Sequence, residues 1–394
     1  MRPFLPMLSS DPGFAARSAA FYAALFVLSG IVLPFFPLWL KAKGVDATLI
    51  GLTLAAPQLV RIFAIPLVTG HADRNDALRG TIVMLSALGL AGYGLVAFSE
   101  GGTYILLAFT LTSLATTPIM PLLETYTLRG LGARGRAYGP VRLWGSVAFI
   151  FGVFGAGFAA DMLPARDLIW LIVIASVVSL AVAANLAPLA AHDATPALSQ
   201  PPKRLLRDPA FLVVAVSAGL TQASHAVYYG FSSLDWRHAG LDGTAIAALW
   251  ALGVISEIIL FAFSSRLPAF LTPSMLLIVG GAGAVLRWTV MALDPPVYLL
   301  PVLQMLHAFS FGMTYLGALF FTSRHAAPGQ AATAQGYLAV ILGVTMAAAM
   351  GLSGWLYSVF GDKAYAAMAL TAIVGCVYGA VADRAARRVA GNPL

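Results

Sequence analysis

The sequence predicts an all-α integral membrane protein of twelve transmembrane helices arranged as two six-helix bundles. Three observations lead there. Of 394 residues, 60% are hydrophobic and only 10% charged, against about 25% charged in a soluble protein. Twelve apolar runs follow one another, each close to the roughly 20 residues that a bilayer crossing needs. One long hydrophilic interval, His192–Asp208, divides these runs six plus six.

Run 1, at about 18–40, follows Arg2 and Arg17 and holds Pro34 and Pro37; prolines are tolerated in membrane helices and mark bends. No small-residue cleavage pattern follows it, so no removable signal peptide is expected. Run 2, at 48–70, holds Pro57 and Pro66 and ends in the charged turn Gly70-His-Ala-Asp-Arg-Asn-Asp-Ala-Leu-Arg79. There Asp73 and Arg79 either brace neighbouring helix ends in one of two conformations or are merely solvated. Run 3 covers 80–98 and run 4 covers 104–128, with Arg129, Arg134 and Arg136 holding the next turn in water. Runs 5 and 6 cover 138–160 and 165–188. After the interval, with its Pro196, Pro201, Pro202, Lys203, Arg204 and Arg207, the runs resume at 210–236, 243–265, 273–293, 297–322, 331–358 and 364–383. The expected organisation is a bundle over 1–190, a cytoplasmic linker over 191–209 and a second bundle over 210–394.

Orientation follows from the basic residues. With the N-terminus cytoplasmic, fifteen Lys and Arg fall in cytoplasmic segments, five on the other side (Lys41, Lys43, Arg166, Arg237, Lys363) and three inside runs, making up the full 23. The positive-inside rule then puts both termini in the cytoplasm of a cell with an inner (plasma) membrane. An internal repeat appears at an offset of 196: Gly44-Val-Asp-Ala-Thr-Leu-Ile opens run 2 and Gly240-Leu-Asp-Gly-Thr-Ala-Ile opens run 8, with Trp39 and Trp236 before them. The same offset sets Arg61 opposite Glu257. Two parallel six-span repeats are the pattern of a rocking transporter with its site between the repeats.

A charge at the bilayer centre costs about 2.5–3.5 kcal/mol, so each needs a partner or a task. Five lie well inside runs: Arg61, Glu124, Arg142, Glu257 and Arg287. Unpaired, they would cost on the order of 15 kcal/mol, as much as a domain's whole stability. With His225 and His307 they are expected to face one another or a shared polar cavity. Glu124 and Arg142 flank one short basic loop on antiparallel neighbours and are expected to pair, either as a structural salt bridge or as a substrate-binding pair. Thr110, Ser113, Thr117 and Glu124 make a polar stripe on run 4, and Arg142, Ser146 and Phe149 one on run 5. Run 7 sets Gln222, His225, Tyr229 and Ser232 on one face. Run 8 does so with Trp250, Glu257 and Phe261, and run 10 with Gln304, His307, Phe311 and Thr314. Tyr228, Trp144, Trp250 and Trp288 either line an aromatic pocket or sit in the core. The charge sum of +3 from three arginines and −2 from two glutamates leaves +1, which suits an anionic substrate.

Other classes are excluded or disfavoured. The single cysteine, Cys376, permits neither an internal disulfide nor a cysteine-cluster metal site. The net charge of +7 lies mostly outside the runs and does not point to nucleic acid. A membrane-embedded enzyme would be expected to show paired aspartates or a phosphate motif in a loop, and none is present. No metal and no cofactor are expected, and the partners expected are a small organic substrate, protons and the lipid bilayer, with the chain acting as a monomer.

Twelve spans, two related halves and the Gly70–Arg79 turn together resemble the major facilitator superfamily, although that turn is one residue short between its Gly and Asp and lacks a second Gly. The chain is more closely similar to the 3-phenylpropionic acid transporter family, relatives of the lactose permease. The similarity is carried by Tyr138-Gly-Pro-Val-Arg-Leu-Trp-Gly-Ser-Val-Ala-Phe149, His225-Ala-Val-Tyr-Tyr-Gly-Phe231, Leu249-Trp-Ala-Leu-Gly-Val-Ile-Ser-Glu257 with its continuation to Phe261, Leu286-Arg-Trp288 and Leu306-His307. The resemblance implies proton-coupled uptake of a small organic solute through the inner membrane. It makes Glu124 and Arg142 the counterparts of the sugar-binding acid and arginine of the lactose permease, and Phe149 that of its stacking tryptophan. Glu257, Arg287 and His307 match its substrate and proton-coupling cluster. Ser310 stands where the lactose permease has the carboxylate that loses its proton, so either a different residue carries the proton here, Glu257 being the expected one, or the coupling is different. A neutral sugar or nucleoside symporter, or an exporter of the same fold, is the other reading.

Overall fold

The computed structural model describes residues 12–189, 205–325 and 331–390, and its regular elements there are helical. The crossings are α1 (Pro12–Ala42), α2 (Ala47–Arg74), α3 (Leu78–Phe98), α4 (Gly102–Gly132), α5 (Gly139–Met162) and α6 (Ala165–Ala184). The second half continues with α7 (Pro209–His238), α8 (Gly243–Ala262), α9 (Pro273–Met291), α10 (Val297–His325), α11 (Ala331–Phe360) and α12 (Tyr365–Ala390). Eleven continuous stretches are long and apolar enough to cross a membrane, the last being the 53-residue Thr333–Ala385. A helix of that length would reach about 80 Å, far beyond a hydrocarbon core of about 30 Å. It turns back at Gly361, whose φ of +56° suits glycine, so α11 and α12 are two crossings and the total is twelve. Much of the expected linker, residues 190–204, lies outside the described residues.

The repeat seen in the sequence is a repeat of local geometry. Gly44 and Gly240 both adopt left-handed backbone, φ +79° and +88°. Asp46 and Asp242 then cap α2 and α8, accepting from the Leu49 N–H at 3.0 Å and the Ala245 N–H at 2.7 Å. Such caps satisfy donors that a helix start leaves orphaned. The matched pair Arg61 and Glu257 does not extend the symmetry. Arg61 bonds Gln58 at 3.3 Å and does not line the cavity between the bundles, so the expectation that it joins a shared cavity is corrected.

Three crossings are interrupted rather than straight. Helix α4 breaks around Thr117 and Pro118, α7 around Ser224 and His225, and α10 carries a π-helical turn at Ala308–Met313. Helix α1 packs on α5 and α6, and α3 on α4 and α6; α7 packs on α11 and α12, and α9 on α10 and α12. The two bundles meet through α2 against α11, α5 against α8 and α1 against α7.

That meeting is closest at the end opposite both termini. A Cβ on Gly51 would lie 2.7 Å from the Gly354 nitrogen, and Gly157 and Gly243 face each other's backbone just as tightly. Hydrogen bonds between the bundles cluster there too. Asp161 of α5 accepts from the Gly243 N–H (2.5 Å), the Thr244 N–H (3.0 Å) and the Thr244 hydroxyl (2.9 Å). Arg237 donates to the Ala160 carbonyl at 2.7 Å and to Asp161 at 3.4 Å. A carboxylate of one bundle thus sits on the helix N-terminus of the other, where the dipole favours it.

Candidate functional site

Below this seal lies a cavity of about 770 Å³ between the bundles, within the range of small-molecule sites. Its wall runs from Phe149 and Trp250 to Tyr138, Gly139 and Ala262 at the ends of α5 and α8 nearest the termini, so it opens toward the termini. From the N-terminal bundle Arg142, Ser146 and Phe149 line it, the stripe read from run 5, with Phe26 of α1 beside them. From the C-terminal bundle come Tyr228, Tyr229, Trp250, Glu257, His307, Phe311 and Tyr315. Aromatic rings pack around one another here: Tyr228 and Trp250 at 4.6 Å, Tyr229 and Trp250 at 6.1 Å, His307 and Phe311 at 5.1 Å. Trp250 holds its orientation by donating to Ser233 at 3.1 Å. A second crevice, about 360 Å³ inside the N-terminal bundle, has a mostly apolar lining with scattered hydroxyls.

Arg142 makes no ion pair among the described residues. Its guanidinium lies 4.3 Å from the Phe26 ring centre and 5.6 Å from that of Tyr22. The expected contact with Glu124 is therefore corrected: Arg142 lies over aromatic rings and pairs with neither Glu124 nor Glu257. Glu124 does not line the cavity. The polar stripe expected to lead to it is also corrected. Thr110, Ser113 and Thr117 each bond the carbonyl four residues back, at 2.7–2.8 Å, a common way for membrane helices to satisfy hydroxyls. Trp144, an aromatic-pocket candidate, faces outward with 58% exposure.

The C-terminal ionisable residues form one network, of which only part reaches the cavity. His307 sets Nε2 3.7 Å from the Glu257 carboxylate, while Nδ1 lies 3.1 Å from the Arg287 guanidinium. Arg287 can only donate, so Nδ1 accepts and the ring proton sits on Nε2, facing Glu257. Arg287 is fully buried and also donates to Gln304 at 2.6 Å and Ser310 at 3.4 Å, with its plane 4.5 Å from the ring centres of Tyr228 and Trp288. No carboxylate touches it among the described residues. The expectation that Arg287 faces a shared polar cavity is thus corrected: it lies behind His307, which stands between it and Glu257. His225, read as a cavity residue, is fully buried behind the wall. Its Nδ1 faces the Thr221 and Gln222 carbonyls and its Nε2 faces Ser310 at 3.1 Å. Nδ1 must carry the proton, and Ser310 donates to Nε2 while accepting from Arg287.

Arg79 braces a helix end as one reading had it, donating to Leu186 and Ala184 carbonyls at 2.6 and 3.0 Å at the close of α6. Asp73 is exposed, and the ion pair in that turn belongs to its neighbour Asp76, with Arg129 at 2.5 Å. Sequence reasoning did not single out Asp161, Phe26, Tyr315 or the linking role of Ser310. Only Phe26 and Tyr315 carry a usable signal, as aromatics on the faces that place Ser29 and Phe311.

Comparison with known proteins agrees with this architecture. The chain is 29% identical over 357 residues to a protein of Escherichia coli (strain K12) described as a probable 3-phenylpropionic acid transporter, covering 89% of this chain and 93% of that one. It is 27% identical over 363 residues to the maltose permease of Geobacillus stearothermophilus, covering 89% and 88%. Among solved structures, the nucleoside transporter NupG superposes with a TM-score of 0.82 at 15% identity, over 94% of this chain and 98% of that one. The peptide-transporter-family protein PepTSo does so at 0.71 and 13%, over 99% and 100%. With a match to the family's pattern over residues 16–366, the chain belongs to the MFS_1 like family and is a multi-pass secondary transporter of the major facilitator fold, not an enzyme.

Proposed function

We propose that the protein is a proton-coupled importer of a small aromatic carboxylate, working by alternating access between its two bundles. One observation carries this reading: a cavity walled by aromatic rings presents an arginine, Arg142, that has no carboxylate partner of its own. A guanidinium fork is suited to bidentate binding of a carboxylate, and Phe26, Phe149 and Trp250 offer faces for a ring. The absence of Glu124 from the wall weighs against a sugar held between an acid and an arginine. In this reading Ser146, Tyr229 and Trp250 complete the substrate's surroundings, and His225 supports the wall from behind.

Glu257 carries the coupling proton. While Arg287 occupies Nδ1 of His307, a second proton on that ring would set one N–H against another, so His307 stays neutral and orients Glu257. Arg287 is thereby the residue that fixes the His307 tautomer. The reading extends to two bundles over 1–190 and 210–394 joined by a linker over 191–209, a monomer in the inner membrane with both termini cytoplasmic, and Asp73 and Arg79 at a gating turn. It needs no cofactor.

A second reading, a neutral sugar or nucleoside symporter, is supported by the facing Glu257 carboxylate and His307 N–H, an acceptor and a donor that suit a hydroxyl-rich solute. Proteoliposomes with an imposed pH gradient separate the two. Radiolabelled 3-phenylpropionate should accumulate on the acid-outside gradient, and maltose and uridine should not. Accumulation of either neutral solute in its place would overturn the carboxylate reading.

A further inference from the structure

The smaller crevice inside the N-terminal bundle, about 360 Å³, shares Phe26 and Leu33 with the central cavity. Phe26, Ser29 and Leu33 fall at i, i+3 and i+7 on one face of α1, and all three line the crevice. Helix α3 contributes Ser86 to the wall, α4 contributes Thr117 and Met120, and α6 contributes Ser176. The break in α4 lies in this wall, because Pro118 cannot continue the regular hydrogen-bond ladder. No charged residue lines the crevice among the described residues. Four of its hydroxyls spend their protons on their own helices. Ser29 donates to the Leu25 carbonyl at 2.9 Å, Ser86 to Ile82 at 2.8 Å, Thr117 to Ser113 at 2.8 Å and Ser176 to Ile172 at 2.7 Å. Such a lining offers little to a polar solute and suits an apolar one.

Phe26 is held at the border of the two spaces by a specific contact. The Arg142 guanidinium lies 4.3 Å from its ring centre. A Cβ on Gly145 would come within 3.0 Å of both that guanidinium and that ring, so the missing side chain makes room for the stack. A carboxylate taken by Arg142 therefore starts its chain beside Phe26, and the crevice begins at the same ring. We propose that the crevice is a tail compartment of the carboxylate site, with Phe26 as its partition, so that the protein takes monocarboxylates with an apolar tail longer than that of 3-phenylpropionate. Its use rests on the carboxylate reading above. The Arg142 fork holds the head, a turn of the Phe26 side chain joins the two spaces, and the tail lies between Leu33 and Met120. Burial of one methylene is worth about four-fold in affinity, so affinity climbs with chain length until the crevice is full.

The test is a chain-length series in proteoliposomes, read as inhibition of radiolabelled 3-phenylpropionate counterflow, which needs no proton gradient. With three more methylenes, 6-phenylhexanoate should inhibit at a concentration about ten-fold or more below that of unlabelled 3-phenylpropionate. The alcohol 6-phenylhexanol, which lacks the carboxylate, should not inhibit in that range. Ser29→Trp sets an indole in the crevice from an exposed position on α1. It should cancel the gain with chain length and leave inhibition by 3-phenylpropionate unchanged. A second readout places the tail and keeps the test open should Ser29→Trp fold poorly. With Cys376 replaced by serine, Ser86→Cys puts a thiol of similar size in the crevice wall. Its labelling by N-ethylmaleimide should be slowed by 6-phenylhexanoate at concentrations where 3-phenylpropionate has no effect. Equal inhibition by the two acids, inhibition by the alcohol as strong as by its acid, a chain-length gain that survives Ser29→Trp, or no protection of Ser86→Cys would overturn the compartment alone. Absence of 3-phenylpropionate counterflow in the unsubstituted protein would instead fail the carboxylate reading, and the compartment with it.

Discussion

Arg142 and Glu257 face the cavity from opposite bundles, and the expected behaviour of each follows from its own chemistry. Lysine at position 142 keeps the charge and a hydrophobic stem along Phe26, but it loses the planar fork. Arg142→Lys should therefore lower 3-phenylpropionate uptake about ten-fold or more, equivalent to about 1.4 kcal/mol of binding, with an unchanged melting temperature. Near-normal uptake would reduce Arg142 to a counter-charge. Glu257→Gln removes the group that takes the proton while keeping a similar shape beside His307. It should abolish pH-driven accumulation and leave counterflow intact; persistent accumulation with a normal pH profile would shift the assignment to Glu124 or His225. Glu124→Gln is the contrast. Its side chain lies off the cavity wall and out of contact with Arg142, so carboxylate uptake should survive, which the same vesicles measure.

At the scale of elements, helix ends and glycine contacts decide which face of the transporter is closed. Gly354 has the Ala47 carbonyl and Thr48 backbone where a Cβ would go. Gly354→Ala must push α11 from α2, and overpacking of this kind costs about 1–3 kcal/mol. Because that cost arises only in the sealed state, it shifts the two-state balance about 5- to 150-fold toward opening at that end. Asp161→Asn should act in the same direction by weakening the cap on α8. Both effects are measurable, with Cys376 replaced by serine, as faster thiol labelling of a cysteine introduced at Ala160, buried in the seal against Gly243, and unchanged labelling would show that the seal does not limit opening. The order and number of crossings were legible because hydropathy and caps are local: Asp46 and Asp242 announce their helices within three residues. The stripes on runs 5 and 8 were legible as well, since unbroken helices keep their 3.6-residue period. Interrupted helices do not. The break at Thr117–Pro118 turns the helix beyond it, so the stripe that starts at Thr110 does not carry on to Glu124. Asp161 capping a helix 82 residues later leaves no trace in either local pattern.

For the molecule as a whole, one bundle supplies the unpaired arginine and the other the acid, the histidine and most of the rings. Neither half is a complete site, so substrate binding draws the bundles together around it and favours the conformations in which both halves touch it. A ligand shifts such an equilibrium only by its differential affinity for the two states. The cavity in this conformation opens toward the termini, so a substrate that bridges Arg142 and the opposite wall should narrow that opening and release the seal at the other end. Spin labels report both movements in one protein, once the single native cysteine, Cys376, is replaced by serine. Labels at Glu100 and Asp294, exposed turns of opposite bundles at the sealed end, should move apart when 3-phenylpropionate is added. Labels at Arg136 and Ser265, exposed near the termini, should approach each other over the same concentration range. Arg142→Lys should require at least ten-fold more ligand for both changes, because the bridge between bundles is what drives them. Movement at one end alone, or movement that the lysine variant leaves untouched, would rule out rocking about the cavity as the means of transport.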